Sequence, residues 1–292
     1  MLIAHYRSAQ QAIHAKESEV AQLKGFNDNV LEGWGNWDTG RQELDTATKA
    51  GIEIISYTSS RYPENLKTIA DFPIILYVKG KLTRNDVRSI AIVGTRTPSE
   101  QGKKNAEKLA EDLSAMGYTI ISGLARGVDS QAHRGAMKKG RTLAVLGTGL
   151  QHIYPKEHQS LAEQIVEHGA LISEYPMWAR PDKHSFIVRN RIVSGLAIGV
   201  VCVEAYHEKS GTMSTMRLAR KQKKKTFVLS TESDGNKLLL ARNEARLVHN
   251  AGDITDTLAD LFIQDTDNEH GYSNRDKSPC YEINCFVNEG TT

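Results

Sequence analysis

The chain has 292 residues, of which 39% are hydrophobic and 25% are charged, and its formal net charge is +2. These values are typical of a globular protein and exclude a disordered or fibrous chain. The longest apolar runs, residues 72–78 and 196–203, are too short to cross a bilayer. Charged residues interrupt the N-terminal segment, whereas a secretory signal has an uninterrupted apolar core, so we expect a cytoplasmic protein.

The first part of the chain predicts a small entry subdomain. Residues 1–50 look helical and polar, and two short apolar runs follow them, EIISY at 53–57 and IILYV at 74–78. Runs of this length and composition are typical of short strands. We expect them to extend the sheet of the domain that follows.

From residue 90 onward, apolar runs and helical segments alternate. Segments with helical periodicity cover residues 101–116, 129–139 and 159–168. The apolar runs between the helical segments are IAIVG (90–94), TIIS (119–122), LAVLG (143–147), LISE (171–174), VVCVE (200–204) and FVLS (227–230). Continuous apolar strands that alternate with helices indicate a parallel sheet covered on both faces. The pattern therefore predicts a doubly wound, mostly parallel α/β domain.

Changes in composition define three regions. We predict a helical segment at 1–50, the α/β domain at 51–252 and a loosely ordered acidic and polar tail at 253–292. Charge is unevenly placed, because residues 217–225 contain six basic side chains and residues 253–269 contain six acids with neither Lys nor Arg. Solvated helix faces explain these two runs as well as a binding patch does.

Candidate binding residues stand where the strands end, because ligands of a doubly wound sheet bind beyond the carboxyl ends of its strands. A glycine turn with Arg96 follows the first run, and Ser99 is a suitable helix N-cap, so this turn resembles a phosphate seat. After the second run, Asp129 is expected to cap the next helix. The turn residues that we single out are Gly94, Ser122, Gly123, Gly127, Gly147, Gly149, Ser210, Gly211 and Thr212.

Cations and an amide are predicted at the same edge. These candidates are Arg96, Lys156, Arg189, Asn190 and Arg191. Two arginines that flank an amide suit bidentate contact with phosphate. Glu174 and Glu204 each end a strand, and we expect them to pair with nearby arginines. Each signal alone fits ordinary connection geometry, whereas their convergence indicates an anion-binding surface.

The sequence predicts no catalytic residues. Ser122 lacks the G-x-S-x-G elbow, and neither a P-loop nor a dinucleotide fingerprint is present. His133 fits a side chain that holds a loop by hydrogen bonds better than it fits a general base. Cys202 fits a core position, and Cys280 and Cys285 fit surface thiols, so we predict no disulfide scaffold, metal site or cofactor.

Six segments follow one another along the chain: GTR, IISGLARGVDSQAH, LAVLGTGLQHIYP, LISEYP, FIVRNRIVSGLA and VVCVEAYHEKSGT. In this order they resemble the DNA-processing protein A family (DprA, also called Smf) over roughly residues 51–250. The resemblance implies a Rossmann-like domain and a non-enzymatic protein that binds and protects single-stranded DNA. It further implies that the protein helps to load the RecA recombinase in competence for natural transformation or in DNA recombination, and that it forms a homodimer through the Rossmann-like domain.

The resemblance also implies roles for particular residues. The family's DNA-contacting arginine falls on Arg96, and its basic residue after Tyr-Pro falls on Lys156, which makes these two the primary candidates. Residues 189–191 match the family's RNR segment. Cations of this kind hold phosphates without reading bases, so binding is expected to tolerate any sequence and to weaken with salt. Phe186 offers either a face for base stacking or a core side chain.

Two other functions stay open. Related Rossmann-like folds bind or hydrolyse small nucleotides, although residues 208–213 read Glu-Lys-Ser-Gly-Thr-Met where such a hydrolase carries a Gly-Gly-x-Gly-Thr turn before a catalytic Glu. A scaffold whose basic run at 221–225 contacts an acidic protein is the other alternative.

Overall fold

A computed structural model gives the fold, and it describes residues 5, 11, 15–23 and 37–259. Cys280, Cys285 and most of the predicted acidic tail lie outside these residues. Within them, the strands are β1 Ile52–Ser56, β2 Ile75–Gly80, β3 Ser89–Val93, β4 Thr119–Ser122, β5 Thr142–Val145, β6 Gly169–Ser173, β7 Gly199–Cys202, β8 Lys225–Leu229 and β9 Arg246–Val248.

The helices alternate with these strands from β3 onward. They are α1 Glu17–Val20, α2 Trp37–Lys49, α3 Glu64–Lys67, α4 Glu100–Ala115, α5 Val128–Met137, α6 Gln159–His168, α7 Lys183–Leu196, α8 Gly211–Lys221, α9 Asp234–Ala241 and α10 Ala251–Leu258. Single 3-10 turns cover Arg84–Val87 and Lys156–His158. None of the helices in the described part of the chain is long and apolar enough to cross a membrane.

One sheet contains all of the described strands, in the order β1-β2-β6-β5-β4-β3-β7-β8-β9. The strands from β3 to β9 pair in parallel. The entry strands β1 and β2 pair antiparallel, and β2 joins the parallel sheet beside β6, with Tyr77 opposite Ser173. The predicted doubly wound, mostly parallel α/β fold is therefore confirmed, and the entry strands extend its sheet.

The five central strands, β3 to β7, are buried along their whole length because both faces of the sheet are covered there. In β5, Leu143 and Val145 pack in one layer with Val193 of α7, whereas Ala144 packs in the opposite layer with Ile165 of α6. Cys202 is fully buried in the first of these layers, which confirms its predicted core position.

The order of the strands reverses at β3. The chain passes from β3 to β4 on one side and later reaches β7 on the other side. Connections that leave a sheet in opposite directions open a crevice between them at the carboxyl ends of the strands. By contacts, the described residues divide into two units between Ala251 and Gly252, and the crevice belongs to the first.

Candidate functional site

A cleft of about 560 Å³ lies at the carboxyl ends of β3, β4 and β7. Its walls are the turns after these strands together with residues of α7 and α8. The sequence-predicted residues that line it are Gly94, Arg96, Gly123, Arg189, Asn190, Ser210, Gly211 and Thr212. The fold thus brings together residues that are more than 100 positions apart in sequence.

Arg96 stands exposed on the rim of this cleft, and it has no ion pair within the part of the chain that the structure describes. The glycine turn before α5 supports its backbone. Gly127 has φ +77°, and the next N–H, that of Val128, donates to the carbonyl oxygen of Thr95 at 3.2 Å. A Cβ at Gly127 would overlap that oxygen and lie 2.7 Å from the Arg96 carbonyl carbon. Gly127 does not line the cleft, but it fixes the position of Arg96.

Arg189 has a different environment, because only 6% of it is exposed. Its guanidinium donates to the carbonyl oxygen of Gly123 at 2.6 Å and also to that of Val145. Burial lowers the pKa of Arg189 to about 10, while the nearby Asp129 carboxylate opposes this shift and the positive Arg96 adds to it. Arg189 therefore joins the ends of β4 and β5 and forms part of the floor of the cleft.

The predicted phosphate seat after β3 is already occupied by a carboxylate of the chain. Glu204, only 4% exposed, accepts hydrogen bonds from the Ser99 N–H at 3.0 Å, from the Ser99 hydroxyl at 3.2 Å and from the Tyr206 phenol. The bond from the phenol raises the pKa of Tyr206. Ser99 caps α4 as expected, through the Gly102 N–H at 2.9 Å. The expectation that Glu204 pairs with an arginine is wrong, because Ser99 and Tyr206 donate hydrogen bonds to its carboxylate instead.

The turn after β4 is filled in the same way. Asp129 accepts hydrogen bonds from the N–H groups of Gly123 at 3.1 Å and Ala125 at 3.3 Å. Its expected role as the cap of α5 is wrong, since the N-cap residue of that helix is Gly127 and the carboxylate instead closes the preceding loop. Burial raises the pKa of Asp129, and the neighbouring Arg189 and the two N–H groups oppose this shift.

The first turn of α8 has no carboxylate in it. Its N-cap, Ser210, accepts from the Met213 N–H at 3.3 Å, and Gly211 and Thr212 line the cleft. Thr212 is 8% exposed, and its hydroxyl makes no hydrogen bond within the described residues. The Asn190 amide lies beside this turn, 3.5 Å from the Gly211 carbonyl oxygen. Because a helix N-terminus presents free N–H groups, this turn is suited to bind an anion.

Aromatic side chains form another wall of the cleft. The rings of Tyr154 and Phe186 lie 5.2 Å apart at an interplanar angle of 34°, and Tyr206 and His207 line the cleft after β7. The sequence pattern does not single out Tyr206, His207 or the exposed Lys183, although the first two closely follow the end of β7. The cleft thus combines cations, free N–H groups and ring faces.

The other predicted residues do not line the cleft. Lys156 is exposed directly after Tyr154 and Pro155, in the loop that borders it. Arg191 forms a bidentate pair with Glu174, at 2.8 and 2.6 Å, and a further ion pair with Asp71, so the expected pairing of Glu174 is confirmed.

Three further predicted positions have packing roles. The Ser122 hydroxyl donates to the Ile92 carbonyl oxygen at 2.6 Å, which ties β4 to β3. A Cβ at Gly147 would lie 2.7 Å from the Phe186 ring, and one at Gly149 would meet the carbonyl group of Met177 at 2.5 Å. Both glycines therefore allow the loop after β5 to pack against its neighbours.

His133 lies in the interior, away from the cleft lining. Its Nδ1 is 2.7 Å from the Thr142 hydroxyl oxygen, and burial lowers its pKa to about 3. It stays neutral at physiological pH and joins α5 to β5, rather than holding a loop as expected. Among the residues that the structure describes, no group of three or more His, Cys, Asp or Glu side chains is placed to bind a metal.

Comparisons with known proteins identify the relatives of this chain. The family model for DNA recombination-mediator protein A matches residues 53–259. DNA processing protein DprA of Bacillus subtilis is 39% identical over 223 residues, which cover 74% of this chain and 75% of the relative. The X-ray structure of DNA processing protein A from Streptococcus pneumoniae superposes with a TM-score of 0.75 at 31% identity, covering 87% of this chain and 90% of that one.

A second solved structure is that of DNA processing protein A from Helicobacter pylori, reported with insights into its single-stranded DNA binding mode. It superposes with a TM-score of 0.65 at 34% identity and covers 72% of this chain and 96% of that one.

Proposed function

The chain belongs to the DNA recombination-mediator protein A family, and from that premise we propose that it binds single-stranded DNA in the cleft beyond β3, β4 and β7 and acts as a recombination mediator. The observation that carries the proposal is the convergence of Arg96, the open first turn of α8 and the Tyr154–Phe186 ring pair in one cleft. A cation and N–H groups suit phosphates, and ring faces suit unstacked bases.

Each part of the cleft has its own role in this proposal. Arg96 holds a backbone phosphate, and the N–H groups of Gly211 and Thr212 together with the Thr212 hydroxyl hold another. Tyr154 offers an exposed ring face to a base, and Phe186 supports that ring from behind. None of these contacts depends on the hydrogen-bonding edge of a base, so binding tolerates any sequence.

The predicted arginines divide into two kinds. Arg189 supports the floor of the cleft through backbone carbonyls, and Arg191 is engaged with Glu174. We therefore assign direct contact with DNA phosphates to Arg96 and to Lys156, which follows Tyr154 in the loop that borders the cleft. The remaining turn glycines allow the close packing that holds these residues in place.

Titration of a labelled oligothymidine at several salt concentrations tests the cleft. We expect the wild type to bind and Arg96→Ala with Lys156→Ala to bind more weakly, with a slope of log affinity against log salt that is shallower by about 0.7 for each lost phosphate contact. The matched control is Lys108→Ala with Lys138→Ala, which removes two exposed lysines that form ion pairs with carboxylates of α4. Absent binding by the wild type, or equal losses in the two double variants, rejects the site.

Further parts of the proposal concern partners. As a family member, the protein is proposed to act in the cytoplasm without a catalytic step, to load a RecA-type recombinase in competence and transformation, and to form a homodimer. The DNA-processing relatives do not favour the small-nucleotide alternative. The basic run at 221–225 lies at the end of α8 and the start of β8, at the edge of the sheet opposite the cleft. A RecA pull-down with and without DNA distinguishes a protein contact there from one made through DNA.

A further inference from the structure

Trp178 is the most exposed of the large apolar side chains in the described part of the chain, with 66% of its surface accessible. It lies in the loop of residues 174–182 between β6 and α7. Single apolar side chains are common on protein surfaces. The significance of Trp178 therefore depends on how its loop is held and on what surrounds it.

The backbone of this loop is fixed on both sides of Trp178. Met177 is buried, and its N–H donates to the Glu43 carboxylate at 2.5 Å. The Ala179 N–H donates to the Pro176 carbonyl oxygen at 2.9 Å, and the Ala179 carbonyl oxygen accepts from the Gly149 N–H, also at 2.9 Å. The indole is thus presented by an ordered backbone, which reduces the conformational entropy that a contact with it would lose.

The neighbouring side chains are cationic and lead to the cleft. Arg180 and Lys183 are both exposed, and neither forms an ion pair within the described residues. Lys183 begins α7 and lines the cleft. Through Gly149, the Trp178 loop packs against the loop that carries Tyr154. Trp178 therefore lies in a loop that packs against the loop of Tyr154, and two cations without an ion pair among the described residues follow it in sequence.

We propose that Trp178 is a second base-stacking site for a DNA strand that leaves the cleft, and that Arg180 and Lys183 hold the phosphates between the two sites. This inference rests on the proposed function of the cleft. The ligand class is single-stranded DNA longer than the cleft accommodates, because only a flexible polyanion with aromatic units matches both the ring and the flanking cations. A protein partner would leave the cations beside the indole without a required role.

The test combines oligonucleotide length with fluorescence. Wild type, Trp178→Ala and Trp178→Phe are titrated with oligothymidines of about 4 and about 16 nucleotides, the ends of the usual range of single-strand site sizes. The chain has three tryptophans, so Trp178→Phe isolates the indole signal while it keeps a ring for stacking. Ile74→Ala is the matched control, because Ile74 is 60% exposed and does not line the cleft.

We expect Trp178→Ala to lose about fivefold to tenfold in affinity for the long oligonucleotide. This loss corresponds to the lower end of the free energies found for stacking of one base on an aromatic side chain. Its affinity for the short one stays unchanged. Trp178→Phe keeps most of the long-oligonucleotide affinity but loses the fluorescence quenching that the wild type shows on binding.

Two results overturn the inference, and they can be told apart. If Trp178→Ala binds the long oligonucleotide like the wild type while Arg96→Ala binds weakly, the cleft is right and the second stacking site is wrong. The indole then serves another partner, such as a protein. If the wild type binds neither oligonucleotide, the proposed function itself fails.

Discussion

Replacing Gly127 by alanine separates the geometry that supports Arg96 from the overall stability of the fold. Gly127 has φ +77° and ψ −125°, a backbone region that residues other than glycine rarely adopt. An alanine there would therefore be strained by about 1–3 kcal/mol. The added Cβ also overlaps the backbone of Thr95 and Arg96, which adds about 1–3 kcal/mol of overpacking. Because backbone atoms cannot rotate away as a flexible side chain can, the Arg96 turn has to shift.

The assay measures urea unfolding and, separately, DNA affinity corrected for the folded fraction. Losing one charge-assisted contact of about 1.5–3 kcal/mol lowers affinity about tenfold to 150-fold. Gly117→Ala is the control, because Gly117 has φ +83° but a Cβ added there would meet no heavy atom within 4 Å. It should lose about 1–2 kcal/mol of stability and keep full affinity. Equal DNA affinity in the two variants would refute the link between Gly127 and Arg96.

Three further changes test the interior of the site. Glu204→Ala leaves the Ser99 N–H without its acceptor and lowers the free energy of unfolding by about 1–3 kcal/mol in urea denaturation, whereas an unchanged midpoint contradicts its role. Arg191→Ala leaves the Glu174 carboxylate without its ion-pair partner and destabilises the fold by about 3–5 kcal/mol. The folded fraction should keep its DNA affinity, and a loss of affinity without a loss of stability would instead show that Arg191 contacts DNA. The fold lowers the pKa of His133 from 6.5 to about 3, so the unfolded chain binds the proton first. As the pH falls from 6.5 to about 3, the free energy of unfolding should therefore decrease by at most about 1.4 kcal/mol per pH unit. Urea titrations across that range should show a smaller decrease for His133→Gln.

The fold was largely predictable because buried parallel strands carry a strong local signal. TIIS at 119–122 and the helix at 159–168 have the predicted bounds, and the other strands differ from prediction by a few residues at their ends. The short strand Arg246–Val248 was missed, since two of its three residues are exposed and it has only one neighbouring strand. A strand with so few buried side chains has no continuous apolar pattern.

The site was only partly predictable, because its electrostatics depend on contacts between distant residues. Strand-end glycines and Arg96 could be located from their position after apolar runs. Glu204, in contrast, meets Ser99 across 105 positions, and no local pattern reveals that its carboxylate fills the first turn of α4. The burial of Arg189 follows equally from packing across several strands, which the RNR segment does not encode.

The internal carboxylates at this edge have a consequence for selectivity among cellular nucleotides. Asp129 and Glu204 accept hydrogen bonds from backbone N–H groups in the turns after β4 and β3, so these N–H groups are not available to a ligand. Asp182 accepts from N–H groups in the first turn of α7 in the same way. A free mononucleotide therefore meets few open donors and gains little from binding. A polymer engages several weak points at once, so its affinity multiplies through effective concentration. The abundant pool of monomeric nucleotides should then compete poorly with a strand for this cleft.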